Sequence, residues 1–63
     1  MTSEIKDATG KYTVRTVKNG DSFINMAFIN GSTDSDNLAL TKTASTLKGA
    51  EAQAKRMLEK LSK

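Results

Sequence analysis

The stretch from Thr46 to Leu61, TLKGAEAQAKRMLEKL, constrains what this chain can fold into more than any other. At the helical step of about 100° per residue, Leu47, Ala50, Ala54, Met57, Leu58 and Leu61 fall within an arc of about 100°, the apolar stripe of a core-facing helix. Lys48, Glu51, Lys55, Arg56, Glu59 and Lys60 fall outside it. Glu51–Lys55 and Glu59–Lys63 have the acid-before-base spacing that favours ion pairs on a helix surface. Lys60 and Lys63 suit the negative end of the helix dipole, whereas Lys48 near the start does not. Leu58 stands at the centre of the stripe and is expected to be its main anchor. A lone helix of this length is marginal in water, so the stripe needs a cover.

The residues upstream supply that cover as strands. Lys11–Lys18, KYTVRTVK, alternates and is rich in β-formers, which makes it the first strand. Asn19-Gly20 signals a hairpin, and Ser22–Ile29, SFINMAFI, follows as the second strand. A loop of Lys18, Asn19 and Gly20, with Gly20 left-handed in a bulge, pairs Val17 with Asp21, Val14 with Ile24 and Tyr12 with Met26. That register gathers Tyr12, Val14, Ile24, Met26 and Phe28 on one face, and a slip of one residue would undo it. Asn30–Asn37, NGSTDSDN, reads as a polar loop. Its Asp34-Ser35-Asp36-Asn37 run lacks the glycine and distal glutamate of a calcium loop. Leu38–Thr43, LALTKT, is the third strand, with Leu38 and Leu40 facing the core. Ser45 or Thr46 caps the helix. Gly49, in the first helical turn, is small enough to let the helix start approach the sheet. Residues 1–10 contain one large apolar residue after the start, Ile5, and read as a flexible tail; residues 11–63 form one domain. The expected architecture is α+β: a three-stranded antiparallel sheet with one C-terminal helix packed on one face, in the order β-β-β-α.

The other face of that sheet is bare, and function is sought there. In the expected register it carries Lys11, Thr13, Arg15 and Val17, then Phe23, Asn25, Ala27 and Ile29, then Ala39, Thr41 and Thr43. Arg15 would lie opposite Phe23, and Thr13 opposite Asn25. Arginine and asparagine have the hydrogen-bonding geometry to read guanine and adenine edges. Threonine and lysine can hold phosphates, and an aromatic ring can stack on an unpaired base. Lys11, Thr13, Arg15, Phe23 and Asn25 are therefore the candidate nucleic-acid-binding residues. The same face read as an apolar strip of Val17, Phe23 and Ile29 calls for a protein cover, from a partner or from a second copy in a homodimer.

Charge is compatible with both readings. The net charge is +3 and the isoelectric point near 9.5, with basic character over 11–18 and 42–63 and acidic character between them. That balance suits anionic partners, and it also keeps a small protein soluble. The chain contains no cysteine and no histidine. Thiol chemistry, disulfides and the usual zinc sites are excluded, and no base or soft ligand is at hand for catalysis. The four glycines are isolated, so no phosphate loop forms. The expectation is a non-enzymatic protein without cofactor or metal. No apolar run reaches the length of a membrane span or a signal peptide, which gives an expectation of a cytoplasmic protein.

The three-stranded sheet, the TLKGAEAQA start of the helix and the single C-terminal helix resemble the small amino-terminal DNA-binding domains of phage-type integrases, the arm-binding class. The resemblance spans about Lys11 to Leu61 and is one of topology. It implies a sheet whose open face enters the major groove, a role that would map onto Lys11, Thr13, Arg15 and Asn25 here. The chain departs from the family in lacking a catalytic domain after the helix and a dense aromatic and basic sheet. Its size and composition also resemble small phage accessory proteins, including inhibitors of host enzymes.

Overall fold

The computed structural model describes residues 2–31 and 34–62. Met1 of the expected tail, Ser32 and Thr33 of the expected loop, and Lys63 of the expected Glu59–Lys63 pair lie outside these residues. The order is β1 (Thr2–Lys6), β2 (Thr13–Asn19), β3 (Ser22–Phe28), a 3-10 turn (Ser35–Asn37), β4 (Leu38–Ala44) and α1 (Leu47–Ser62). The strands form one antiparallel meander, β1-β2-β3-β4, and α1 lies chiefly over β2 and β3. The fold is α+β with a single C-terminal helix, as expected, but the sheet has four strands. Among the described residues no helix is long and apolar enough to cross a membrane.

The extra strand comes from the segment expected to be a tail. One apolar residue gives no readable period, yet Ile5 sits opposite Val14 and packs against the core. Glu4 sits opposite Arg15 and pairs with it. Strand formation here depends on partners that are distant in sequence, which local propensity does not report.

The turn between β2 and β3 also differs. Asn19 pairs with Ser22, so the loop is Gly20-Asp21. Gly20 has φ +63°, at the first central position, where a type II′ turn requires glycine. Val14 pairs with Ala27 and Thr16 with Asn25, three positions from the expected register. An odd shift exchanges the faces of a strand. Phe23, Asn25 and Ala27 therefore point toward the helix, while Ile24, Met26 and Phe28 point away.

The reason lies in the fit between helix and sheet. The buried residues of α1 are Ala50, Ala54 and Met57. Two alanines on the inner face bring the helix close to the sheet, where small side chains are needed, and Ala27 meets that need. Val14, Ala27, Ala54 and Met57 form the core, with Ile5, Leu58 and Leu61 packed at its margin. Leu58 is thus a flank of the stripe and Met57 its anchor. Thr46 caps the helix, its hydroxyl accepting the Gly49 amide at 3.0 Å. A Cβ on Gly49 would meet that same hydroxyl at 3.0 Å, so its small size serves the cap and not an approach to the sheet.

Because α1 sits over the central strands, β4 is left as an uncovered edge. Leu38 and Leu40, expected in the core, are 41% and 36% exposed. A bulge lets Phe28 pair with Leu38 and Ala27 with Leu40, which leaves Ala39 as the extra residue. Beyond it, Leu40, Lys42 and Ala44 lie on the helix side, and Thr41 and Thr43 on the other.

Met57→Ala is expected to cost about 2–5 kcal/mol, as for a large side chain removed from a packed core. Leu58→Ala should cost less, and Lys55→Ala close to nothing. Urea denaturation of the three variants checks the order; a larger loss for Leu58 than for Met57 would contradict the helix orientation.

Candidate functional site

The five candidate residues do not share one surface. Lys11 is exposed and precedes β2, in the turn that follows β1. Thr13 and Arg15 are on the open face as expected. Thr13 lies in register between Lys6 and Phe28 and is only 3% exposed. Phe23 lies on the helix side, half-buried, opposite Ala44. Asn25 is fully buried beneath the helix. The placement of Phe23 and Asn25 on the open face, and the Arg15–Phe23 and Thr13–Asn25 pairs, are thus corrected: Arg15 pairs with Met26, Thr13 with Phe28.

Asn25 links the sheet to the helix. Its Oδ1 accepts the Thr16 hydroxyl, and its Nδ2 donates to the Ala50 carbonyl at 3.0 Å and to Gln53 Oε1 at 2.8 Å. Gln53 Nε2 in turn donates to the Thr43 carbonyl at 3.2 Å. One amide thereby joins β2, β3, β4 and α1. No described buried side-chain polar atom lacks a partner.

The open face carries, by alternation, Glu4 and Lys6 of β1, Thr13, Arg15 and Val17 of β2, Ile24, Met26 and Phe28 of β3, and Thr41 and Thr43 of β4, with the paired Thr13 and Phe28 buried at one end of it. Its centre is apolar: Val17 pairs with Ile24, Arg15 with Met26, and both apolar residues of β3 pair onward with threonines of β4. Its charge is largely compensated. Glu4 Oε2 accepts from Arg15 Nη2 at 3.0 Å and from Arg15 Nε at 3.2 Å, and Glu4 Oε1 lies 3.9 Å from Lys6 Nζ. A half-exposed pair of this kind contributes about 0.2–1 kcal/mol. Sequence reasoning missed Glu4, Ile24 and Met26 as members of this face. For the first of them a single apolar neighbour, Ile5, gives no readable signal.

Lys11 is positioned by a turn built on Asp7. Asp7 Oδ2 accepts the Thr9 hydroxyl at 2.6 Å and Oδ1 accepts the Tyr12 amide at 3.1 Å. The Thr9 hydroxyl accepts the Lys11 amide at 3.2 Å. These bonds, that of Thr9 foremost, hold the Asp7 carboxyl below the usual carboxylate range. No protein-family model, no curated protein and no solved structure matches this chain.

Two expectations follow. Asn25→Ala should destabilise by about 1–3 kcal/mol through the stranded Thr16 hydroxyl and Ala50 carbonyl, whereas Arg15→Ala should shift stability by less than about 1 kcal/mol. Thermal denaturation separates them. Asp7 has a folded-state pKa below its unfolded value, so its contribution is present above the unfolded pKa and is lost as pH falls through the folded one. An NMR titration of Asp7 should place its midpoint below the ordinary aspartate value, and Asp7→Asn should remove its share of the stability lost on acidification.

Proposed function

We propose that this chain is a non-enzymatic protein-interaction module that associates with a second copy of itself through the open face of the sheet. The observation that carries this reading is the orientation of β3, which puts the partly exposed Ile24 and Met26, next to a buried Phe28, on the side the helix does not cover. The same orientation weakens the case for base readout by that face. Asn25 is spent on the helix, Thr13 is buried, and Arg15 is engaged by Glu4.

A like face is the natural occupant. Apolar centres of two sheets stack at about 10 Å in a sandwich, with polar residues at the rim. Compensated charge within the face gives no preference for a strongly charged partner. The cations Lys48, Lys55, Arg56 and Lys60, against the carboxylates Glu51 and Glu59, ride on the helix, behind the sheet. Their mutual repulsion across such a dimer would act over more than a Debye length of about 8–10 Å. The face measures about 400 Å² per copy at ordinary strand spacing and rise, hence about 800 Å² for the pair. That is below the range of stable interfaces, so the association is transient, weak and concentration-dependent.

Sedimentation equilibrium over a range of concentrations tests the reading. Wild-type protein should pass from monomer to dimer, and Ile24→Glu should stay monomeric with an unchanged circular dichroism spectrum. A wild-type protein that remains monomeric at the highest concentration would refute self-association. Duplex DNA bound with a steep salt dependence, and lost in Arg15→Ala, would instead assign the face to nucleic acid.

A further inference from the structure

A second surface lies on the opposite side of the sheet, where α1 stops short of β4. The helix and the edge strand enclose a groove of about 450 Å³. Its walls include Leu40 and Met57, with Lys42, Arg56, Glu59 and Lys60 around them. Met57 is 2% exposed and forms a firm apolar floor beside the half-exposed Leu40. The four charged residues are exposed. Three cations stand against one carboxylate, and among the described residues none of the three cations makes an ion pair.

The groove runs beside an open strand edge. β4 pairs with β3 on one side and with no described strand on the other. Along its seven residues only Ala44 is not exposed. Such an edge offers a row of backbone donors and acceptors to another extended chain. Lys42 then decides which chain. In pairing with a second β4, Lys42 would be brought near its own copy, and like charges facing one another across strands are unfavourable. An acidic strand meets no such penalty, and the flanking Arg56 and Lys60 add attraction.

We propose that the β4 edge and this groove form a docking site for an extended acidic segment of a partner protein, which adds to the sheet as a fifth strand. Its side chains alternate between the two sides of the sheet. Every second one would enter the groove, so the recognised pattern has an apolar residue over Leu40 and Met57 and acidic residues two positions to either side, against Lys42, Arg56 and Lys60. Backbone pairing supplies the affinity common to all extended segments, and the groove supplies the choice among them. This site is separate from the self-association face.

The probe is a fluorescent eight-residue peptide with glutamate, leucine and glutamate as its second, fourth and sixth residues and threonine at the other five. Fluorescence anisotropy at low salt should show binding, weakened about tenfold by Lys42→Glu and by Arg56→Glu, each an exposed residue whose reversal leaves the fold intact. Amide hydrogen exchange in β4 should slow when the peptide is bound. Ile24→Glu, monomeric under the reading above, should bind the peptide as wild type does, so failure of one reading does not decide the other. Binding without protection of β4, equal binding of a peptide with lysine in place of glutamate, or no binding at all would each overturn the proposal. So would displacement of the peptide by duplex DNA at equal charge concentration, which would give the groove to nucleic acid.

Discussion

The buried amide of Asn25 is the interaction on which the rest of this structure depends. It is 0% exposed and meets β2 through Thr16, the helix backbone through Ala50, and β4 through Gln53. A buried polar group without partners costs about 1–3 kcal/mol. The domain as a whole has about 3–9 kcal/mol at ordinary per-residue stability. Any register of β3 that strands this amide therefore gives up a large part of the total. A slip of one residue would turn Asn25 outward, place Ile24 or Met26 under the helix, and separate two alanines of α1 from the sheet. The polar network selects one register among those that the apolar pattern permits.

That selection divides the molecule into two unlike surfaces. The covered side is small and tight: Val14, Ala27, Ala50, Ala54 and Met57, with an amide at its centre. The uncovered side holds the larger apolar residues of β3. A chain of 63 residues cannot bury both faces of a four-stranded sheet with one helix. The helix took the face where close approach and complete hydrogen bonding were available, and the bulkier face was left without a helix, its Phe28 buried and its Ile24 and Met26 partly exposed. The edge at β4 follows from the same choice, since a helix centred on β2 and β3 leaves β4 only a partial roof.

Much of this was legible in the amino-acid sequence. The stripe of α1, a cap at Ser45 or Thr46, β2, the strand character of Leu38–Thr43 and the left-handed Gly20 all follow from local pattern. The face of β2 was also legible, because Val14 and Arg15 alternate without ambiguity. β3 was not. SFINMAFI has apolar residues on both sides of the strand, so its alternation admits either orientation, and counting large side chains favours the one the molecule rejects. What decides is the size match between Ala27 and the helix alanines, together with four hydrogen bonds spread from Thr16 to Gln53. β1 was hidden for a related reason: Ile5 and Glu4 gain their meaning from Val14 and Arg15, across a turn held by Asp7. The candidate site inherited the error in β3, which placed Phe23 and Asn25 with Arg15 when the sheet puts Met26 there.

The two surfaces are joined by the geometry of a sheet. A strand added at β4 would send every second side chain into the groove and the others onto the open face. At ordinary spacing a seven-residue strand widens that face by about 110 Å², roughly a quarter of its present area. If the added residues on that side are apolar, a segment held by Lys42 and Arg56 would enlarge the patch through which two copies are proposed to meet. By linkage, the second copy would then favour the segment to the same degree. If they are charged, the coupling changes sign, and the bound segment keeps the copies apart. The residues of a partner that never touch the groove would thus set the assembly, through a backbone edge whose exposure traces to where Asn25 fixes the helix.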